Sequence, residues 1–272
     1  MISGKNEIIE LFKGWNQNEI DKIVKLPQSG SYREYYRLNY SNSSVIGVYN
    51  SDIKENKAFF YLSDHFMKKE LPVPKILQIG NNNNKYLLED LGDNTLFQFI
   101  QKNNYDYKSK LLDTYHSTID HLIQFQVIGS ENLNYKHCYP RAKFDSQSIF
   151  WDLWYFKYYF LKLAKITFDE QILEDSFHNL VKILTKIKCN FFLYRDFQSD
   201  NIMIKNDKLY FIDYQGGRQG PLYYDIASLL FDSKANIPFD VKTNLMYYYY
   251  HKIKDLHYIQ KKDSSIFSFI SL

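Results

Sequence analysis

The chain has 272 residues, of which 45% are hydrophobic, 18% aromatic and 24% charged. This length exceeds that of a typical domain of roughly 100–200 residues, so two packed lobes are expected, and the apolar content excludes general disorder. Its 34 basic and 31 acidic residues give a net charge of +3, too near neutral to indicate a nucleic-acid partner. The two cysteines, Cys138 and Cys189, form neither a metal-ligand cluster nor a disulfide framework.

No segment has the apolar length of a signal peptide or a membrane span. The most aromatic stretch, residues 149–164, is interrupted by Asp152, Lys157 and Lys162. Because a membrane helix needs about 20 predominantly apolar residues, this stretch is predicted to be a buried amphipathic helix with its N-cap near Asp145. Its tryptophan and tyrosine side chains are expected mostly in the core. The protein is predicted to be cytoplasmic, with no membrane partner.

The first ninety residues are predicted to alternate helices with pairs of strands. Helical spacing, turn residues and alternating patterns predict, in chain order, a helix over Glu7–Val24, a turn over Pro27–Gly30, strands over Arg33–Tyr40 and Ser44–Asn50, a helix over Lys54–Lys69, and a hairpin around Asn81–Asn84. This part of the chain is therefore expected to form a strand-rich unit.

After Gly92 the pattern changes to long helices. Apolar residues recur at helical spacing from Leu111 to Ile123, from Ile149 to Ala164 and from Leu173 to Ile187. The whole chain is therefore predicted to have an α+β fold. A small β-rich N-terminal lobe would span residues 1–91, a larger helical lobe residues 92–272, and a hinge would lie at about residues 88–92.

The segment from Leu193 to Asp213 carries the most specific pattern, LYRDFQSDNIMIKNDKLYFID. Asp196 is followed five residues later by Asn201, and Asp213 closes the segment. Between them, two alternating apolar runs flank a polar turn, which predicts a β-hairpin. Such a hairpin brings Asn201 and Asp213 close together.

This arrangement suits phosphoryl transfer, which needs aligned phosphates, charge neutralisation and an oriented nucleophile. Magnesium takes oxygen ligands, and the side chains of Asn201 and Asp213 provide them. Asp196, presented from a loop, would accept or orient the hydroxyl proton of an acceptor.

The RDxxxxN pattern, the hairpin and the following IDY resemble the catalytic loop and metal-binding aspartate of protein kinases. The residues after Asp213 fit the aminoglycoside-phosphotransferase and choline-kinase superfamily better. Three further stretches, SGSYREYYRL from Ser29, LLEDLGD from Leu87 and IDYQGGRQGPLYYDIASLL from Ile212, resemble bacterial kinases of the cell-wall amino sugars N-acetylmuramate and N-acetylglucosamine. The resemblance implies a two-lobed protein-kinase-like fold with ATP and Mg²⁺ as cofactors.

Carried over residue by residue, the resemblance also implies roles for individual side chains. Asp196 would be the catalytic base, Asn201 and Asp213 the magnesium ligands, and Asp225 a structural support of the catalytic loop. The hinge residues Glu89, Asp90 and Leu91 would bind adenine. The turn residues Ser29, Gly30 and Ser31 would lie over the phosphates of the nucleotide.

Three features depart from the pattern or stay open. The strand SVIGVYN has no lysine where protein kinases carry the VAIK lysine, and Tyr194 stands where many relatives have histidine, which is expected to alter packing behind the loop. Asp152, Trp154 and Arg218 are candidates for the acceptor pocket, although the Gly216-Gly217 neighbourhood favours a solvated loop for Arg218.

The sequence leaves open which molecule carries the acceptor hydroxyl. An amino-sugar kinase is the first hypothesis, and an aminoglycoside kinase or a kinase of choline or another small alcohol is the alternative on the same fold. A hypothesis from a different class is a pseudokinase that binds nucleotide without turnover. The choice between ATP and GTP and the oligomeric state are not determined by the sequence.

Overall fold

The computed structural model describes residues 4–27, 32–187 and 189–255. Its N-terminal part is built on a five-stranded antiparallel sheet with the spatial order β1-β2-β3-β5-β4. The strands are β1 (Lys22–Lys25), β2 (Glu34–Tyr40), β3 (Ser43–Tyr49), β4 (Ile76–Ile79) and β5 (Lys85–Glu89). The predicted strand pairs and the hairpin around Asn81–Asn84 are confirmed.

Two helices cover the two faces of this sheet. Helix α1 (Gly4–Trp15) buries Ile8 and Phe12 against one face, and helix α2 (Ile53–Lys68) packs against the other. The prediction of one helix over Glu7–Val24 was wrong, because the polar Asn16-Gln17-Asn18 segment ends α1 and the following residues pair with β2. The predicted turn over Pro27–Gly30 lies mostly outside the described residues.

The C-terminal part is mainly helical and carries two short antiparallel ribbons, β6–β9 and β7–β8. Its helices are α3 (Leu96–Lys102), α4 (Ser109–Val127), α5 (Ser146–Phe156), α6 (Glu170–Leu184), α7 (Tyr223–Leu230) and α8 (Phe239–Asp255). Its strands are β6 (Phe191–Leu193), β7 (Ile202–Lys205), β8 (Lys208–Phe211) and β9 (Arg218–Gly220). None of the helices among the described residues is long and apolar enough to cross a membrane. The lobe limits at residues 1–91 and 92–272 stay a prediction.

The hairpin of β7 and β8 has the geometry that its sequence predicts. Its turn residues Asn206 and Asp207 have φ angles of 51° and 58°. Two consecutive positive φ angles are typical of the type I′ turn, whose twist matches that of the flanking strands, and Asn and Asp tolerate this conformation.

The aromatic segment differs from its prediction. Asp145 caps α5 as expected, but a π-helical turn follows over Lys157–Leu161. The ammonium of the buried Lys157 points inward to carboxylates of Glu170 and Glu174, at 2.6 and 2.5 Å. The neighbouring rings therefore face outward, and the exposed ones are Trp151, Trp154, Tyr155, Phe156, Tyr158, Tyr159 and Phe160. The expectation of a buried helix was wrong.

One hydrophobic core joins α2 to the helical part of the chain. Phe66 is fully buried, and its ring lies 5.1 Å from Phe125, 5.0 Å from Phe192 and 5.4 Å from Tyr214 between centroids. Ser63, one turn earlier, forms a 2.7 Å hydrogen bond with the Tyr214 hydroxyl. Helix α2 therefore packs directly on the segment that follows Asp213.

We expect Phe66→Ala to lower the free energy of unfolding by about 3–5 kcal/mol, because it leaves a cavity among these rings. Met67→Ala is the matched control, since Met67 is 41% exposed and its truncation should change stability by less than about 0.5 kcal/mol. Urea unfolding of both variants measures the effect. Equal losses in the two variants would contradict this account of the core.

A second prediction concerns His65, whose Nε2 lies 2.9 Å from the Gly129 carbonyl oxygen. Burial lowers the pKa of His65 below its usual 6.5. Below pH 6.5, His65 therefore binds a proton more readily in the unfolded chain than in the folded chain. The free energy of unfolding consequently decreases as pH falls. We expect the wild type to lose stability relative to His65→Gln between pH 7.5 and 5.5. Parallel pH curves in urea unfolding would count against this linkage.

Candidate active site

The turn after β6 is held by a buried carboxylate. Asp225, on α7, is 0% exposed, and its two oxygens accept the backbone N–H groups of Tyr194 and Arg195 at 2.8 and 2.9 Å. Burial raises the pKa of Asp225 to about 7, although these two hydrogen bonds oppose the shift. Arg195 has a φ of 88°, a conformation that costs free energy in a non-glycine residue. The structure thus has the geometry expected of a support for the loop.

Hydrogen bonds bring the three predicted catalytic and metal-binding residues together. The Asn201 side-chain Nδ2 donates to the Asp196 carbonyl at 2.9 Å, and the Asn201 carbonyl accepts the Ile212 N–H at 3.0 Å. The buried Tyr194 hydroxyl donates to the Ile212 carbonyl at 2.7 Å. Tyr194 therefore ties the turn to the residue before Asp213, a contact that sequence reasoning missed.

The carboxyl group of Asp196 lies in an unusual electrostatic environment. Burial, together with the nearby charge of Asp213, raises the pKa of Asp196 to about 6, while Arg195 and Arg218 act in the opposite direction. A Cβ on Gly216 would lie 3.8 Å from Asp196 Oδ2, so the chain after Asp213 runs past this carboxylate without a side chain in between. A carboxyl group with this pKa suits proton acceptance near neutral pH.

Asp213 projects into a cleft with its side chain 37% exposed. Its Oδ1 accepts hydrogen bonds from Gln215 Nε2 at 2.6 Å and from Arg33 Nη1 at 3.2 Å. The amide nitrogen of Asn201 is engaged by Asp196, which leaves its oxygen as the side-chain atom suited to a cation. Within the part of the chain that the structure describes, no three His, Cys, Asp or Glu residues cluster as a metal site. A magnesium ion here would therefore need phosphate oxygens and water as further ligands.

Arg33 and Glu55 form an ion pair that sequence analysis did not assign. Arg33 Nη2 lies 2.6 Å from one Glu55 oxygen, and Nε donates to the other at 3.1 Å. Burial by itself lowers the pKa of Arg33, but its interactions with Tyr35, Glu55 and Tyr86 outweigh burial and raise the pKa above its usual value. The available signal was an arginine at the first position of the predicted strand Arg33–Tyr40, with a glutamate in the first turn of the next helix.

A cleft of about 350 Å³ lies between the sheet and the β7–β8 hairpin. The predicted hinge residues Glu89, Asp90 and Leu91 line it, as do Asn201 and Asp213. The Asp90 carboxylate is engaged by Arg37 at 2.6 Å and by Ser44 at 2.7 Å, so its side chain holds the hinge in place. Ser29, Gly30 and Ser31 lie outside the described residues.

On the other side of Asp196, Asp152 of α5 forms a two-point ion pair with Arg195 at 2.5 and 2.6 Å. The Tyr224 hydroxyl, on α7, lies 2.5 Å from the same guanidinium. Trp154 stacks instead on Phe150 with a centroid distance of 5.4 Å. Of the predicted acceptor-pocket residues on α5, Asp152 thus contacts the turn that carries Asp196 directly.

Arg218 is 4% exposed and begins β9, opposite Leu193, so the expectation of a solvated loop arginine was wrong. Its Nε and Nη2 both donate to the Gly216 carbonyl at 3.0 Å. A Cβ on Gly217 would lie 2.2 Å from the Phe192 ring, so the glycines allow this segment to pack closely. The pairing of β9 with β6 draws Arg218 inward.

The chain is similar to curated N-acetylmuramate/N-acetylglucosamine kinases. It is 21% identical to that of Pseudomonas aeruginosa over 235 residues, which cover 84% of this chain and 66% of the relative. It is 23% identical to that of Pseudomonas putida over 246 residues, which cover 85% and 66%. The chain thus spans slightly less than two thirds of the length of these relatives.

Solved structures share the fold. The aminoglycoside phosphotransferase APH(2'')-Ib, bound to ADP, superposes with a TM-score of 0.64 at 17% identity, covering 92% of this chain and 83% of that one. Choline kinase LicA from Streptococcus pneumoniae has a TM-score of 0.64 at 12% identity, covering 91% and 80%. These likenesses confirm the predicted α+β, two-lobed protein-kinase-like fold.

A family model matches most of the chain. The model of the phosphotransferase enzyme family covers residues 24–255, which include the cleft, the turn that carries Asp196 and the β7–β8 hairpin. The chain belongs to this phosphotransferase enzyme family.

Proposed function

We propose that the protein is an ATP- and magnesium-dependent small-molecule kinase that transfers the γ-phosphate to a hydroxyl group, most simply that of a cell-wall amino sugar. The observation that carries the proposal is a set of hydrogen bonds: Asn201 bonds to Asp196, and both Asn201 and Tyr194 bond to Ile212, the residue before Asp213. One turn thereby presents a candidate base beside two candidate metal ligands.

The cleft supports the nucleotide part of the proposal. Its volume of about 350 Å³ falls within the usual range of small-molecule sites. Apolar side chains such as Ile46, Leu88 and Met203 line it, and they suit the flat faces of a purine. Residues Glu89–Leu91 border the same space, which supports the hinge assignment.

Asp213 and Asn201 would hold the magnesium ion, which supplies charge neutralisation to the phosphates when bound. Asp196 would accept the proton of the acceptor hydroxyl, and its pKa of about 6 leaves it mostly ionised at neutral pH. General-base assistance of this kind is worth about 10²–10⁴ in rate. The Arg195–Asp152 pair orients the turn from the acceptor side.

The amino-sugar assignment draws on the similarity to N-acetylmuramate/N-acetylglucosamine kinases. Aminoglycosides are polycations, which need unpaired acidic groups in the acceptor site. The carboxylate of Asp152, the acidic candidate for that site, is already paired with Arg195 at 2.5 and 2.6 Å, which disfavours a polycationic acceptor. Choline or another small alcohol is the remaining alternative on this fold, and a pseudokinase is the alternative without turnover.

Incubating the protein with Mg-ATP and separate acceptors, and following ADP release, tests the proposal. The panel comprises N-acetylmuramate, N-acetylglucosamine, an aminoglycoside and choline. We expect acceptor-dependent ADP release with an amino sugar, and a loss of about 10²–10⁴-fold in Asp196→Asn because the base is removed. Asp207→Asn is the matched control, since Asp207 lies in the exposed hairpin turn where asparagine tolerates a positive φ.

Turnover of another acceptor alone would reassign the substrate class. Binding of Mg-ATP without turnover of any acceptor would favour the pseudokinase. Full activity of Asp196→Asn would refute the role of Asp196.

Asp225→Asn provides a separate test of the supporting carboxylate. An amide offers one acceptor oxygen where the carboxylate offers two, so the N–H of Tyr194 or Arg195 loses its partner. We expect a loss of about 1–3 kcal/mol in stability and a lower kcat, with nucleotide affinity unchanged. Urea unfolding, steady-state kinetics and calorimetric nucleotide binding measure the three quantities. An unchanged kcat would show that Asp225 does not act through the catalytic turn.

A further inference from the structure

Strand β3 has no cation on the face that lines the cleft. Ile46 lines the cleft, and Val48, two residues later, lies on the same face of the strand because side chains alternate. In the VAIK pattern of protein kinases, the lysine that contacts the phosphates stands two residues after the alanine. The corresponding position here is Val48, which is fully buried and pairs with Tyr35 on β2 and Tyr86 on β5.

A cation from a different place in the sheet reaches this region. Arg33 directly precedes β2, is 5% exposed and lines the cleft. Its Nη1 donates to the Tyr35 hydroxyl at 3.2 Å, above the strand pair that contains Val48. The same Nη1 lies 3.2 Å from Asp213 Oδ1. The guanidinium therefore lies at the end of the cleft where the candidate metal ligand is, away from the hinge.

Glu55 fixes the orientation of this guanidinium. It accepts hydrogen bonds from Arg33 Nε and pairs with Nη2, and its Oε2 also accepts from Asn50 Nδ2 at 2.8 Å. Asn50 is itself held by Asn56 of α2. Arg33 Nε and Nη2 face Glu55, while Nη1 reaches Asp213 Oδ1 in the cleft at 3.2 Å. A phosphate oxygen would share or replace this Asp213 contact, and guanidinium groups bind phosphate oxygens well because their N–H donors are fixed in one plane.

We propose that Arg33 binds the phosphates of the nucleotide, oriented by Glu55, and so takes the place of the lysine that β3 lacks. The inference rests on the proposed function, since it assigns a residue within that nucleotide site. It locates the phosphate-binding cation on the residue before β2, from which it reaches Glu55 of α2 across the cleft face of the sheet. A purely structural ion pair is the competing explanation, and it predicts no dependence on the number of phosphates.

The test measures equilibrium binding of adenosine, AMP, ADP and a non-hydrolysable ATP analogue by calorimetry, in EDTA so that no metal contributes. We expect Arg33→Gln to weaken ADP and the ATP analogue about ten- to hundredfold, the range for a charged hydrogen bond, and adenosine less than twofold. Arg37→Gln is the matched control, because Arg37 lines the hinge end of the cleft. Any loss of affinity in Arg37→Gln should be the same for all four ligands.

A double variant that moves the cation from position 33 to position 48 of β3 provides a second measurement. We expect Val48→Lys, added to Arg33→Gln, to restore at least part of the preference for ADP over adenosine. If Arg33→Gln does not fold, Arg33→Lys provides the test instead. Its affinity for ADP should fall several-fold while its affinity for adenosine stays unchanged, because the two-point contact with Glu55 is lost.

The outcomes separate the inference from the function on which it rests. An unchanged ADP affinity in a folded Arg33 variant, or an equal loss for adenosine and ADP, overturns the inference while the nucleotide site stands. Failure of the wild type to bind any of the four ligands, with or without Mg²⁺, overturns the proposed function itself.

Discussion

The geometry of the candidate site depends on the buried carboxylate of Asp225. Its two oxygens satisfy the N–H groups of Tyr194 and Arg195 at the point where the chain leaves β6. Without these acceptors, two buried donors would lack partners in a turn whose Arg195 φ of 88° is already unfavourable. The position of Asp196, one residue later, follows from this constraint.

The same turn is connected to the rest of the molecule through aromatic side chains. Tyr194 bonds to the Ile212 carbonyl, and Tyr214, two residues further, packs on Phe66 and bonds to Ser63 of α2. Helix α2 therefore touches the segment around Asp213 through its core face and carries Glu55 at its N-terminal end. Because these residues are closely packed, a displacement of α2 would shift residues on both sides of the cleft.

Opposite charges alternate around the cleft and explain why so many ionisable groups can lie close together. Asp213 faces Arg33, while Arg195 is paired with Asp152 next to Asp196. Among the described residues Asp196 forms no such two-point ion pair, and burial and Asp213 raise its pKa to about 6. Strongly perturbed groups of this kind cluster at functional sites, since each unfavourable environment must be held by the surrounding structure.

The sequence by itself determined the hairpin and predicted the candidate catalytic segment, because the Asp196–Asn201–Asp213 spacing and the Asn206-Asp207 turn are local features that neighbouring residues define. It also determined most strands and helices, and it implied the family. Only the tertiary structure decided that Arg33 meets Glu55 and Asp213, that Arg218 is buried, and that the rings around α5 face outward. The physical reason is the same in each case. Periodicity shows on which face of its helix or strand a residue lies. It does not show what that face contacts, because the contacting residues are distant in sequence and are set by packing. Lys157, whose partners are Glu170 and Glu174, is an example.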